Sequence, residues 1–223
     1  MSGAVKAGWI CAVMLAGVGL MQGQGAAVGC PVAGEGLAAR CMYFSMERFG
    51  VEIPAWTMVV RGDGKAMYWE SANLYGAAPG SIGWLPVSAG TVTSVFAAEA
   101  PVRSGGCSSH VTSLPMGGRK KLVSWTGDGK VECSFSRSTD GTVSAADAAF
   151  EAMAETMQAG EKLAREHAHE RLALEGELDA LSAKVAAGNA IEVAMIAPVL
   201  EGLIGDDLVV DVVKKKAAAL LGK

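Results

Sequence analysis

The sequence predicts an α+β chain: a small antiparallel β domain with one short helix, in the order β-β-α-β-β, followed by a C-terminal helical segment. Two observations carry this reading. Beyond residue 27, every aromatic side chain except Phe150 precedes residue 144, and the charge shifts at the same point. Residues 28–143 hold ten basic and nine acidic groups, whereas residues 144–223 hold eight basic and fourteen acidic ones. The second observation is that Gly-Asp-Gly-Lys occurs twice, at 62–65 and 127–130, each time between β-prone runs.

The 223-residue chain opens with what reads as an export signal. Its first acid is Glu35 and Lys6 supplies the positive start. Residues 9–21 (WICAVMLAGVGLM) are an uncharged apolar run, followed by polar and small residues up to Ala27. A spanning helix needs about 20 apolar residues, so the run predicts a cleaved signal peptide over 1–27 and no transmembrane helix in the mature chain. Lipidation at Cys30 is the competing reading, because Ala27-Val28-Gly29-Cys30 loosely fits a lipobox, although Cys30 lies well past the apolar run.

Four cysteines remain after cleavage: Cys30, Cys41, Cys107 and Cys133. An even number in an exported chain predicts disulfides, with Cys107–Cys133 and Cys30–Cys41 the favoured pairing. No CxxC occurs and the spacings fit no zinc pattern. The formal net charge of −4 gives no electrostatic reason to expect nucleic acid.

In the β domain over 28–143, residues 56–60 and 66–69 form the first predicted hairpin. Residues 121–125 and 131–135 form the second, and the alternation Val131, Cys133, Phe135 points Cys133 inward. The repeated Gly-Asp-Gly-Lys is read as convergent turn chemistry, with internal duplication the alternative. Between the hairpins, residues 91–99 predict a short helix with Val92, Val95 and Phe96 on one face and Pro101 after its end.

Met46-Glu47-Arg48-Phe49-Gly50, Ile53-Pro54-Ala55-Trp56, the hairpin and Tyr68 together resemble a small bacterial envelope domain of unknown function. Its members place an Arg, a Gly, a Cys-Pro and an aromatic before a similar hairpin; here Ile53 stands where the Cys would be. The wider layout is similar to uncharacterised exported bacterial proteins, a resemblance that brings no activity with it.

In the helical segment over 144–223, Ser144 is the expected cap, with Asp147 three residues on. A stripe runs 150, 153, 157, 160, 164, 167, 171, 174, 178, 181, 185, apolar at both ends and polar in the middle. It predicts one long helix or two, weakest near Gly160. Gly188-Asn189 ends this run. Pro198 is expected to kink or break the next helix, and Gly205-Asp206-Asp207 to cap a last one through Leu221. Residues 190–221 resemble one helical hairpin of a HEAT-type repeat.

Glu166, His167, His169 and Glu170 are the most suggestive chemical cluster. Glu166 and His169 form a Glu-x-x-His pair of the kind used in carboxylate-bridged metal sites, but those sites need a second copy, and none is present. Gly34-Glu35-Gly36-Leu37-Ala38-Ala39 matches a permissive dinucleotide fingerprint without the preceding strand it requires. Arg61-Gly62-Asp63 is explained by the turn, and Ser108-Ser109-His110 forms no triad. Arg119-Lys120-Lys121 reads as edge protection or, more boldly, as an anionic-surface contact.

Tyr68 and Trp69 are adjacent and so face opposite sides of a strand. One ring is therefore expected in the core, with the other exposed as an interaction surface or covered by the helical half. These features predict a periplasmic or extracellular, non-enzymatic binding protein with an unknown protein or envelope partner and no cofactor. Its acidic C-terminal helices would form a homodimer or partner interface. The alternatives are a metal-binding protein or metal-assisted hydrolase centred on Glu166–Glu170, and a lipid-anchored structural envelope protein.

Overall fold

The sheet is built around a strand that the sequence pattern hides. In the computed structural model, which describes residues 40–48, 53, 55–71, 83–105 and 118–222, β1 runs Cys41–Glu47. The two expected hairpins flank it: β2 (Ala55–Arg61) with β3 (Lys65–Ser71), and β5 (Arg119–Thr126) with β6 (Gly129–Phe135). A two-residue β4 (Leu85–Pro86) adds an edge, giving the antiparallel order β4-β3-β2-β1-β5-β6. Pro86 suits an edge, where a missing N–H breaks no inner ladder. The fold is thus α+β with two strands more than the pattern predicts. β1 is buried on both faces, so it lacks the polar alternation that marks a half-exposed strand.

The two Gly-Asp-Gly-Lys turns are built differently. In the first, Val60 pairs with Ala66, leaving Gly62-Asp63-Gly64 as a three-residue turn with Gly64 at φ +80°. In the second, Thr126 pairs with Gly129 around a two-residue turn. One tetrapeptide at two registers favours convergent turn chemistry over duplication. Arg61 and Asp63 bind each other at 2.6 Å, and Arg61 lies over the Trp84 ring at 4.7 Å, so the Arg-Gly-Asp tripeptide is folded onto itself.

One sheet face carries Met42, Phe44, Met46, Trp56, Met58, Tyr68 and Leu122 against helices α1 (Ala89–Phe96), α2 (Glu99–Arg103) and α3 (Gly141–His169). Phe150 of α3 stacks on Phe44 with ring centroids 5.0 Å apart. The expected single helix over 91–99 is therefore two short ones, and Pro101 sits in the first turn of α2, where its missing N–H is tolerated. Glu192 clamps α1 from a distance. Its carboxylate accepts from the Ser88 N–H at 3.0 Å and from the hydroxyls of Ser88 and Thr91, each at 2.5 Å, while its backbone sits at φ +59°.

Helix α3 is continuous over 29 residues and is capped by Asp140, not Ser144. The Asp140 carboxylate accepts from the Thr142 and Val143 N–H groups, and these bonds, led by the Thr142 hydroxyl, hold it below the usual carboxylate range. Gly160 does not weaken the helix: a Cβ there would lie 2.4 Å from Ile196 Cγ2, so glycine allows close approach of the 193–196 turn. The buried side of α3 also rotates. Val143 and Phe150 face the sheet, while Leu163 and Glu166 face the later helices. Twenty residues at 3.6 per turn carry the helix roughly 200° round its axis, which is why the straight stripe seemed polar in its middle.

A 3₁₀ elbow (Arg171–Ala173) leads to α4 (Leu174–Ala186), followed by α5 (Ala197–Gly205) and α6 (Asp211–Leu220). Pro198 starts α5 instead of kinking it, and α6 begins at Asp211, later than the Gly205-Asp206-Asp207 cap predicts. Leu163, Leu174, Leu178, Leu181, Leu200, Leu203, Val209 and Val213 form a second core. The expected boundary at 143/144 therefore falls inside α3, which serves both cores. Among the described residues no helix is long and apolar enough to cross a membrane.

Candidate functional site

The aromatic pair chosen from sequence is not a surface. Tyr68 and Trp69 are each 2 % exposed. Tyr68 lies in the core beneath α3, donating to Glu70 Oε1 at 3.0 Å and accepting from Gln158 Nε2 at 3.1 Å; burial pushes its phenol well above the ordinary range. Trp69 packs on the other sheet face with Cys41, Val59 and Met67, and with Tyr43, Trp84 and Trp125. Of the two readings, an exposed ring or a covered one, the exposed one fails: over residues 66–69 both faces of β3 are buried.

The basic run 119–121 is corrected as well. β6, not β5, is the sheet edge. Lys120 is buried under α3, with Nζ 2.7 Å from Asp147 and 2.6 Å from Glu151. Burial raises the Asp147 carboxyl above its usual range against the opposing pull of Lys120. Arg119 pairs with Glu47 at 3.5 Å and Lys121 with Glu132 at 3.0 Å.

Glu166, His167, His169 and Glu170 do not converge. Glu166 turns into the helical core, 7 % exposed, with Oε2 lacking a hydrogen-bond partner and Lys162 3.9 Å away. Burial, with Glu177 and Glu170 nearby, raises its carboxyl above the usual range. His167 Nε2 instead reaches Asp206 at 2.7 Å. His169 ends α3, Glu170 leaves the helix at φ −141°, and both are exposed. Among the described residues no group of three or more His, Cys, Asp or Glu side chains stands close enough to hold a metal ion. Gly34–Ala39, Cys30, Cys107 and Ser108–His110 lie outside the described residues. Cys41 and Cys133 are each disulfide-bonded. Cys41 packs with Val59 and Trp69 on one face, whereas Cys133 packs toward the α3 core on the other, so the two are not joined to each other.

Two adjoining cavities lie along α3, of about 390 and 330 Å³. They share Glu155, Gln158 and Lys184, and their walls are charged. Of their cations, Lys184 pairs with Glu155, Lys162 with Glu177 at 2.6 Å and Arg48 with Glu151 at 3.7 Å, while Arg165 lies near Glu161. Glu161 is raised above the usual range by burial and by its neighbour Glu70. The groove is a charged seam along α3, with most of its cations paired to carboxylates on its own walls.

The feature that does face outward is the far end of the helical half. All the large exposed apolar side chains among the described residues are Leu172 (101 %), Leu208 (71 %), Val210 (62 %) and Val212 (40 %). Asp206 ties their two segments together. It accepts from His167 at 2.7 Å and Arg171 at 3.2 Å on the α3–α4 side, and from the Leu208 N–H at 2.8 Å on its own. That backbone bond, followed by His167 and Arg171, holds its carboxyl below the usual range. The elbow at 171–173 and the turn before α6 therefore form one apex. The sequence carried a faint signal for it: Leu172 is off the apolar stripe, and Leu208-Val209-Val210-Asp211-Val212-Val213 holds more apolar residues than one face can bury. Only Val209 and Val213 turn inward.

No family model matches the chain, and no curated protein matches it significantly.

Proposed function

We propose that the protein is an exported, non-enzymatic binding protein whose recognition surface is the apolar apex of its helical half. The observation that carries the reading is that Leu172, Leu208, Val210 and Val212 stand exposed on two segments that Asp206 joins. Large exposed apolar side chains are unfavourable in water, and a partner that covers them recovers that cost. Among the described residues, the aromatic sheet and the charged groove along α3 expose no large apolar side chain.

Export is supported by the sequence of residues 1–27 and by the cysteines. Cys41 and Cys133 each need a partner other than the other, and cleavage after Ala27 leaves Cys30 and Cys107. A disulfide at Cys30, the pairing favoured from the sequence, would leave no thiol for a thioether-linked lipid and goes with the cleaved, unanchored form. The test is capture from the export compartment with the wild-type chain and with a Leu172→Ser, Leu208→Ser double variant. One partner enriched by the wild type and lost from the variant supports the proposal. The same proteins recovered by both, or none by either, would refute it.

A further inference from the structure

Over β3, β2, β1 and β5 the sheet face turned away from the helices has a cluster of its own: Cys41, Val59, Met67 and Trp69, with Tyr43, Trp84 and Trp125 packed against them. Ser45, Thr57 and Val123 share that face by register and are buried too. Helices α1, α2 and α3 all pack on the opposite face, against Phe44, Met58 and Leu122, and α4, α5 and α6 build the second core. Among the described residues, only Trp84, beside the edge strand, joins this cluster from outside those four strands. A single layer of strands does not bury its own outward side chains; a second layer has to.

We infer that this second layer is the start of the mature chain, residues 28–39, strapped across the sheet by a Cys30–Cys41 disulfide. The inference rests on cleavage after Ala27 and goes beyond the binding role proposed above. Cys41 lies on the second face, is buried and is disulfide-bonded, and Cys133 is not its partner. In the cleaved chain Cys30 and Cys107 remain for the two bonds. Cys133 faces the helix side, and α2 leads toward Cys107 on that same side. Four residues before Cys107, Arg103 donates to the Thr126 hydroxyl and, at 3.1 Å, to the Gly129 carbonyl, where β6 begins. Cys107 therefore goes with Cys133, which leaves Cys30 for Cys41. Residues 28–39 (VGCPVAGEGLAA) carry one charge, Glu35, and every other position is apolar or small, which suits burial on an aromatic and aliphatic face. The reach is sufficient. Strands β3 and β5 lie about 10 and about 5 Å from β1, and a loop over 31–40 held at both ends extends about 17 Å from Cys41. The strap keeps Tyr43 and Trp69 from water and closes the aromatic face to partners.

The test is a tryptic map of the unreduced protein recovered from its export compartment, followed by hydroxyl-radical footprinting. The expected map joins Val28–Arg40 to Cys41–Arg48, and Ser104–Arg119 to Val131–Arg137. Ser104–Arg119 joined to Cys41–Arg48 would overturn the inference. A longer first peptide, beginning before Val28 yet joined to Cys41, would keep the strap and overturn the cleavage. In the footprint, a Val32→Asp, Leu37→Asp variant, which keeps every cysteine, should label Tyr43 and Trp69 about threefold or more above wild type. Tyr68 and Trp56, on the helix side, should be unchanged and so report that the variant is folded. Cys30→Ser, Cys41→Ser should do the same. Wild-type labelling of Tyr43 and Trp69 in both variants would give the cover to another part of the chain and sink the inference. Where a variant does not fold, the map alone decides. None of these outcomes bears on capture of a partner through Leu172 and Leu208, so the strap and the binding role fail separately.

Discussion

The sheet half and the helical half treat their apolar residues in opposite ways. The sheet half holds nearly all the aromatics and buries its largest described ones: Trp56, Tyr68 and Trp69 are buried, and Phe44 lies against both Trp56 and Phe150. The helical half has only Phe150, which it gives to the sheet, and otherwise packs with Leu, Ile, Val and Met, yet it leaves Leu172 fully exposed. Aromatic residues are common at interfaces, so composition alone directs attention to the wrong half. Exposure, not residue type, marks the surface, and here it lies on aliphatic side chains at a helix elbow.

The contrast can be broken most severely at Lys120. Lys120→Met leaves the Asp147 carboxylate on the sheet side of α3 without its cation and Glu151 with only Arg48, 3.7 Å away, and a loss of about 3–5 kcal/mol in urea unfolding is expected at neutral pH. The loss should shrink in acid as Asp147, whose carboxyl is raised by burial, takes up a proton. A variant as stable as wild type would mean that α3 is not held to the sheet through this cluster.

A smaller effect is expected where the halves join. Gly160→Ala would place its Cβ against the branched Cβ of Ile196, destabilising the chain by about 1–3 kcal/mol. The same substitution would strengthen an isolated helix, so the sign separates close packing from helix weakness.

Glu166 tests the interior of the helical half. Its folded carboxyl titrates above the unfolded value, so the folded state binds more protons. Stability should therefore fall as pH rises through the window that begins near the unfolded value of about 4.3. Lys162, Arg165 and Glu170 on or beside α3 and Glu177 on α4 set the local field. Glu166→Gln should flatten that part of the profile and add about 0.5–1 kcal/mol at neutral pH. An unchanged profile would place the ionised group in water.

The smallest stability change belongs to the apex: Leu172→Ser should shift unfolding by less than about 0.5 kcal/mol while impairing partner capture.

The legible parts of the fold were those with a local signature. Two Asp-Gly turns between β-prone runs announced both hairpins, and the alternation of Val131, Cys133 and Phe135 set the inward side of β6 correctly. β1 was missed because a central strand has no polar face to alternate. The α3 cap was misplaced by four residues because Ser144 and Asp140 both satisfy the cap preference, and only the bonds to Thr142 and Val143 decide between them. The Glu166–Glu170 cluster looked chemical because adjacency in sequence ignores rotation: Glu166 and His167 leave the helix about 100° apart, one into the core and one toward Asp206. The apex was harder to read because it combines 171–173 with 206–212, and no local pattern reports that Asp206 joins them.

The most direct test of the central claim is site-specific photocrosslinking in living cells, with a photoreactive amino acid placed at Leu172 in one chain and at Trp69 in another. The account predicts a discrete partner adduct from position 172 and none from position 69. An adduct from 69 with none from 172 would return recognition to the aromatic sheet and contradict the account.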